Sequence, residues 1–170
     1  MSWQESYDEE TLRILREVIK NDELIALFLS RKADVEELAK GLDWKSFEKL
    51  TAMIFESLGY STLTNLRIGR KELDVVAYNE MYVFAADCKH WKRMSNSAIA
   101  RAAEMQKARA KLLLGLLSFR DKIIIPLIVS LYESDAKIIN EVPVVPVLKL
   151  RDFLISFYGY IDSINVIRGP

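Results

Sequence analysis

The 170-residue chain has one cysteine, one histidine and no long apolar run. A lone Cys88 excludes an internal disulfide framework, and a lone His90 excludes a Cys/His zinc site built from this chain. Apolar runs such as Leu112 to Leu117 fall well short of the roughly 18 to 20 residues that span a bilayer, so no membrane partner is expected. Near the start, Glu5, Asp8, Glu9 and Glu10 stand where a secretory leader would carry Lys or Arg. The expectation is a protein kept in a reducing, cytoplasmic setting. Internal repeats and low-complexity segments are also missing.

What the chain does have is a core: 51% of its residues are hydrophobic, enough for one globular domain. Its 24 basic and 24 acidic residues cancel, which argues against indiscriminate coating of nucleic acid. The charge is uneven, however. Residues 1–60 hold 8 Lys/Arg against 13 Asp/Glu, whereas residues 61–130 hold 12 against 6. A local basic face in the middle third is therefore open.

Apolar spacing predicts helices over Asp8–Lys20, Asp22–Leu29, Asp34–Lys40 and 44–60, the last stopped by Gly59. From residue 61 the period changes, predicting strands over Ser61–Ile68, Glu72–Tyr78 and Met81–Cys88. Asn79-Glu80 reads as the tight turn of an antiparallel hairpin, so residues whose numbers sum to about 159 or 160 should pair. A long helix follows, about Ser97 to Ser118, with Ala98, Ala102, Met105, Ala108 and Leu112 on one face. Lys122–Leu131 and Val142–Leu148 read as further strands, the second lying at an edge or starting late because of Pro143 and Pro146. Arg151–Tyr158 closes the chain as a helix. The fold class is α/β: an αβββαβ core with a mixed central sheet flanked by helices, preceded by N-terminal helices.

The third predicted strand, 82-YVFAADCKHWK-92, spends Val83, Phe84, Ala85 and Ala86 on burial and then acquires Asp87 and Lys89. Alternation puts Val83, Ala85, Asp87 and Lys89 on one face. On the neighbouring strand, Asp74 is followed at once by Val75-Val76-Ala77, and the pairing above sets it opposite residue 85 or 86. Two carboxylates that close repel unless a cation sits between them. A hard divalent ion with oxygen ligands resolves this, and Mg²⁺ binds through one or two carboxylates with waters. Lys89 could hold a water or stabilise charge on a phosphate. The plainer reading is a solvated Asp-x-Lys salt bridge beside an acid that caps a backbone group.

The series Glu48, Asp74 and 87-DCK-89 resembles the PD-(D/E)xK nucleases, the restriction-endonuclease-like superfamily. With 47-FEKLTAMIFESLGY-60 and 73-LDVVA-77, it is most similar to Mrr-type restriction endonucleases and archaeal Holliday junction resolvases. The likeness covers residues 44–92 well, 95–150 only in αβ order, and 1–40 not at all. It implies Asp74, Asp87, the Cys88 backbone carbonyl and Glu48 as ligands of Mg²⁺, with Mn²⁺ as substitute, and Lys89 as the catalytic lysine. Glu56 competes with Glu48 on the same helix, but only Glu48 directly follows the Phe. The approach 69-GRKELD-74 departs from the glycine-rich one usual in Mrr-type enzymes, and Asp87 stands where many have Gln. The Gln-x-x-x-Tyr motif of RecB-like exonucleases is missing, since Ala110 stands four residues after Gln106.

On this reading Arg67, Arg70, Lys71, His90, Lys92 and Arg93 bracket the metal and could bind DNA phosphates. His90 also reads as a plain loop residue or a metal-side proton shuttle. Trp91 could stack on an unpaired base or pack against a helix. Arg101, Lys107, Arg109 and Lys111 could equally be the solvated side of a helix. Residues 1–42 form a helical extension, expected to pack or dimerise rather than read DNA, and 43–170 the nuclease domain. The implied function is a divalent-metal-dependent endodeoxyribonuclease acting on duplex or branched DNA as a homodimer. The alternative is a non-catalytic nucleic-acid-binding or scaffold protein that kept the fold.

Overall fold

In this computed structural model, residues 7–19, 35–91, 95–131 and 136–170 are described. The helix expected over Asp22–Leu29 lies outside them. Asp8 opens helix α1 (Glu9–Val18), its carboxylate accepting from the Thr11 N–H at 3.0 Å. A short helix α2 (Val35–Lys40) precedes α3 (Trp44–Glu56), which Asp43 caps through the Ser46 N–H at 2.7 Å. Gly59 ends this segment with φ +88°, a left-handed conformation that lets the Tyr60 N–H reach back to the Phe55 carbonyl.

Three antiparallel strands follow: β1 (Ser61–Ile68), β2 (Lys71–Tyr78) and β3 (Tyr82–Lys89). Helix α4 (Asn96–Lys111) crosses to β4 (Ile123–Ser130), which runs parallel to β3. Then come β5 (Lys137–Ile139), β6 (Val142–Pro146) and helix α5 (Leu150–Ser156). The six strands form one mixed sheet in the order β1-β2-β3-β4-β6-β5. This is the expected αβββαβ core. Phe47, Leu50, Phe55, Phe84 and Phe157 fill the layer between the sheet and α1, α3 and α5. Smaller clusters around Ala103, Ala110, Leu113 and Phe119 fill the α4 side.

Three expectations need correction. The β2–β3 turn lies one residue later, at Glu80-Met81, because Asn79 takes the first corner. Its side-chain oxygen accepts from the Met81 and Tyr82 N–H groups, and its own N–H donates to the Tyr82 carbonyl. Paired residues therefore sum to 161, as in Val75↔Ala86 and Tyr78↔Val83. Second, β6 is not the edge strand. The edge is β5, a strand the pattern does not mark, joined to β6 by Asn140 and Glu141 at φ 49° and 66°, as a primed hairpin turn needs. Pro143 and Pro146 are tolerated because β6 is paired over only three positions on each side. Third, α4 buries Ile99, Ala103, Gln106 and Ala110, while Met105 is 52% exposed and Leu112 belongs to a following 3₁₀ turn. Alanines all round this helix give its faces little contrast.

Helix α1 belongs to the main core: Ile14, Leu15 and Val18 are fully buried in the cluster that holds Phe47 and Phe84. Arg151 clamps it there, with one nitrogen 3.0 Å from Asp8 Oδ1 and Nε donating to Ser57 Oγ at 3.2 Å. Asp8→Ala removes both a cap and this ion pair. It should cost about 1–2 kcal/mol in urea unfolding, and the Asp8/Arg151 double-mutant cycle should show coupling. Strictly additive losses would mean that the clamp contributes nothing.

Candidate active site

The ladder between β2 and β3 stops at Val75↔Ala86, although both strands continue past it. Beyond that pair, β2 stays with β1 and β3 stays with β4, so the sheet splits. One further step of the same register sets Asp74 opposite Asp87 at the apex of the split. The two carboxyls are close enough there to share a hydrogen bond. Asp74 Oδ2 accepts the Cys88 N–H at 2.8 Å, taking the place of the lost ladder bond. The Cys88 carbonyl projects to the same side as its N–H, towards Asp74.

Burial, first, and then the hydrogen bond it shares with Asp87 push the Asp74 carboxyl from an ordinary 3.8 up to about 7. The charges of Asp87 and Glu48 add to the rise, and the Cys88 N–H opposes it. Asp87 is 6% exposed. Lys89 Nζ stands 3.0 Å from its Oδ2, and Arg109 Nη1 on α4 stands 3.5 Å from the same oxygen. Neither cation is aimed to make a directed hydrogen bond, so this buried oxygen is matched in charge but not in geometry. A cleft of about 340 Å³ opens beside it, lined by Asp87, Lys89, Trp91, Arg101, Met105 and Arg109. A larger cavity, about 460 Å³ between β5 and α5, holds none of these groups.

The donor set is a pair of carboxylates in conflict, one oxygen without a directed partner, and a backbone carbonyl close by. It fits a hard divalent cation, which takes oxygen ligands and relieves the repulsion. Among the described residues, no three of His, Cys, Asp or Glu gather into a metal-holding group. A cation here would draw on two side chains, backbone and water.

Residues 39–115, a little under half of the chain, match the family described as restriction endonuclease, its Mrr catalytic domain. Over this segment the chain is similar to Mrr-type restriction-endonuclease domains. The segment contains α3, the three antiparallel strands and α4, and with them Asp74, Asp87 and Lys89. No curated protein and no solved structure matches the chain.

The other residues expected in this site fall in different places. Glu48, on α3, lies on the opposite face of the sheet and is nearly buried. It accepts from Trp44 Nε1 at 2.6 Å and from Asn65 Nδ2 at 3.2 Å, and its charge reaches Asp74 across the end of the sheet. Glu56 instead accepts from Thr62 Oγ1 at 2.6 Å. Asn65 sits in β1 at φ 52°, and it also donates to Glu72. Arg67 is spent on Glu72 at 3.0 Å, while Arg70 and Lys71 are exposed around the β1–β2 turn. His90 packs on the core of α3: its Nε2 lies 2.8 Å from the Leu42 carbonyl oxygen, and its ring stacks on Trp44. Lys92 and Arg93 lie outside the described residues. Cys88 faces Thr51 in the core, where burial pushes its thiol well above the ordinary range.

Sequence reasoning missed Arg109 as a neighbour of Asp87. It follows Gln106 by three residues, so once Gln106 is known to be buried, Arg109 falls on the adjoining edge of the same face. Gln106 pins the helix by donating to the Ala85 carbonyl at 2.8 Å.

The Asp74 pKa has a testable sign. Between about 4 and about 7 the unfolded chain has lost this proton while the folded chain keeps it, so metal-free stability falls as pH rises across that window and stays low above it. In chelator, Asp74→Asn should melt higher than the wild type at pH 8, by roughly 2–4 °C for each kcal/mol of relieved strain. That advantage should shrink as the pH drops below 7. A pH-independent difference would place the buried proton elsewhere.

Proposed function

We propose that this nuclease domain is a divalent-metal-dependent endonuclease that hydrolyses DNA phosphodiester bonds. One observation carries the reading: two carboxylates face each other at the split in the sheet, with Lys89 3.0 Å from one of them. A structural salt bridge needs only one acid, and pressing a second acid against it costs stability that a purely structural site has no reason to bear.

Asp74, Asp87 and the Cys88 carbonyl would hold Mg²⁺, or Mn²⁺ in its place. When bound, such an ion polarises a phosphoryl oxygen and makes water a better nucleophile near neutral pH. The chain's own groups do the rest. The Lys89 ammonium, held on a rigid strand, donates hydrogen bonds to the attacking water and to the scissile phosphate. Glu48, fixed by Trp44 and Asn65, would order further water from the far side of the sheet. Arg70 and Lys71, three to four residues from Asp74 and so roughly 10–13 Å away along an extended strand, would contact a neighbouring phosphate, as would Lys92 and Arg93. Arg67 and His90 would have to leave their present partners to do the same.

Residues 43–170 would carry this chemistry, with residues 1–42 serving as a packing or dimerising extension. A homodimer would present a second site to the other strand of a duplex, in a cytoplasmic setting. A preference for four-way junctions over linear duplex at matched salt would identify a junction-selective enzyme, and its absence an Mrr-type one.

The deciding experiment is calorimetric titration with Mg²⁺ or Mn²⁺, with nicking of plasmid and junction DNA followed in the same samples. Asp74→Asn should lose metal binding and nicking together. Lys89→Ala should keep metal binding and nick on the order of 10²–10³-fold more slowly. A wild-type protein that binds no divalent ion, even with DNA present, sinks the proposal and leaves a scaffold that kept the fold.

A further inference from the structure

Arg109 belongs to a different element from the two acids, yet its side chain is only 21% exposed and points at Asp87 Oδ2 from 3.5 Å. Lys89 approaches the same oxygen from 3.0 Å. One of the oxygens a divalent ion would use is thus already faced by two cations. Both contacts lack hydrogen-bond direction, so the attraction is one of charge and not of a locked, forked pair.

Counting charge shows what this implies. Ionised Asp74 and Asp87 give −2, and Lys89, Arg101 and Arg109 give +3, so the balance is +1. A divalent ion would raise the sum to +3 in this half-enclosed cleft. Excess charge in a poorly solvated cleft is unfavourable until a counter-charge enters. A phosphodiester strand brings one negative charge per nucleotide. Lys89 is tied to Asp87 by sitting two residues along the same rigid strand. Arg109 reaches in from α4 on a long, flexible side chain, so it can swing away without disturbing the sheet. Its planar fork suits a phosphate better than the single oxygen it now faces.

We propose that Arg109 couples metal binding to DNA binding: it occupies the charge of Asp87 in the free protein, competes there with the divalent ion, and transfers to a phosphate when DNA enters the cleft. This rests on the metal-dependent nuclease reading above. Its consequence is that the free protein holds the metal weakly and the site assembles on its substrate, which limits stray hydrolysis.

The test is Mg²⁺ titration of the full chain by calorimetry, with and without a short DNA duplex, for wild type, Arg109→Gln, Arg109→Met and Arg109→Lys. Duplex affinity with and without Mg²⁺ is followed by fluorescence anisotropy. Without DNA, Arg109→Gln and Arg109→Met should bind Mg²⁺ roughly tenfold more tightly than the wild type, because one competing charge is gone. In both, the duplex should tighten Mg²⁺ binding less than it does in the wild type. Arg109→Lys, which keeps the charge, should stay near wild type without DNA. Two neutral variants are used so that misfolding of one, seen in its melting curve, does not decide the matter. Unchanged or weaker Mg²⁺ affinity in a folded neutral variant overturns the coupling while leaving the nuclease reading intact. A wild type that takes no Mg²⁺ with or without the duplex overturns both.

Discussion

The site depends on a forced meeting of like charges. At the point where β2 and β3 part, the register puts the half-buried Asp74 against the buried Asp87. The split also removes a ladder partner from the Cys88 N–H, and Asp74 takes that role, which fixes its carboxylate at the apex. Each group there answers to this constraint. The Asp74 proton is held up to about 7, Lys89 and Arg109 lean on Asp87, and one Asp87 oxygen still lacks a directed partner.

The rest of the fold holds that conflict in place. Asp87 leaves a strand whose preceding residues are fully buried on both faces, between α3 and α4. A strand so enclosed cannot slide by one residue, because the slip would exchange its two faces. Below it, Phe55, Tyr60, Phe84 and Phe157 interlock edge to face at 5.2–5.7 Å between ring centres. On the other side Gln106 locks α4 to β3 through a backbone carbonyl, which sets how far Arg109 can reach. Strain at the site is thus carried by a core that has apolar burial to spare.

Glu48 illustrates a different kind of support. It lies across the sheet from the acid pair, held by Trp44 and by Asn65, whose φ of 52° marks an irregular point in β1. Asn65 also steadies Glu72, whose carboxyl Arg67 and Asn65 together hold below the usual range. A chain of polar contacts therefore runs from α3 through β1 to β2, next to Asp74. It accounts for a buried carboxylate on the far layer whose charge is felt at the site.

The sequence alone settled those features that local chemistry dictates. The helix start at Asp8, the stop at Gly59, the change of period at residue 61 and the apolar run ended by Asp87 and Lys89 each act over a few residues, and each is legible from side-chain type. The Asp74, Asp87 and Lys89 constellation was legible for the same reason, since an ionisable group after a buried run is conspicuous. Tertiary structure decided what depends on partners distant in the chain. The one-residue shift of the hairpin hung on the Asn79 side chain bonding its own turn, and it brought Asp74 directly opposite Asp87. The buried face of α4 was hidden by alanines that suit either side, which left the side of Arg109 open, and packing turns it towards Asp87. His90 is the loop residue expected, but folding set it against Trp44 and the Leu42 carbonyl. Spacing along a chain fixes which faces can exist, but only packing chooses which of them meet.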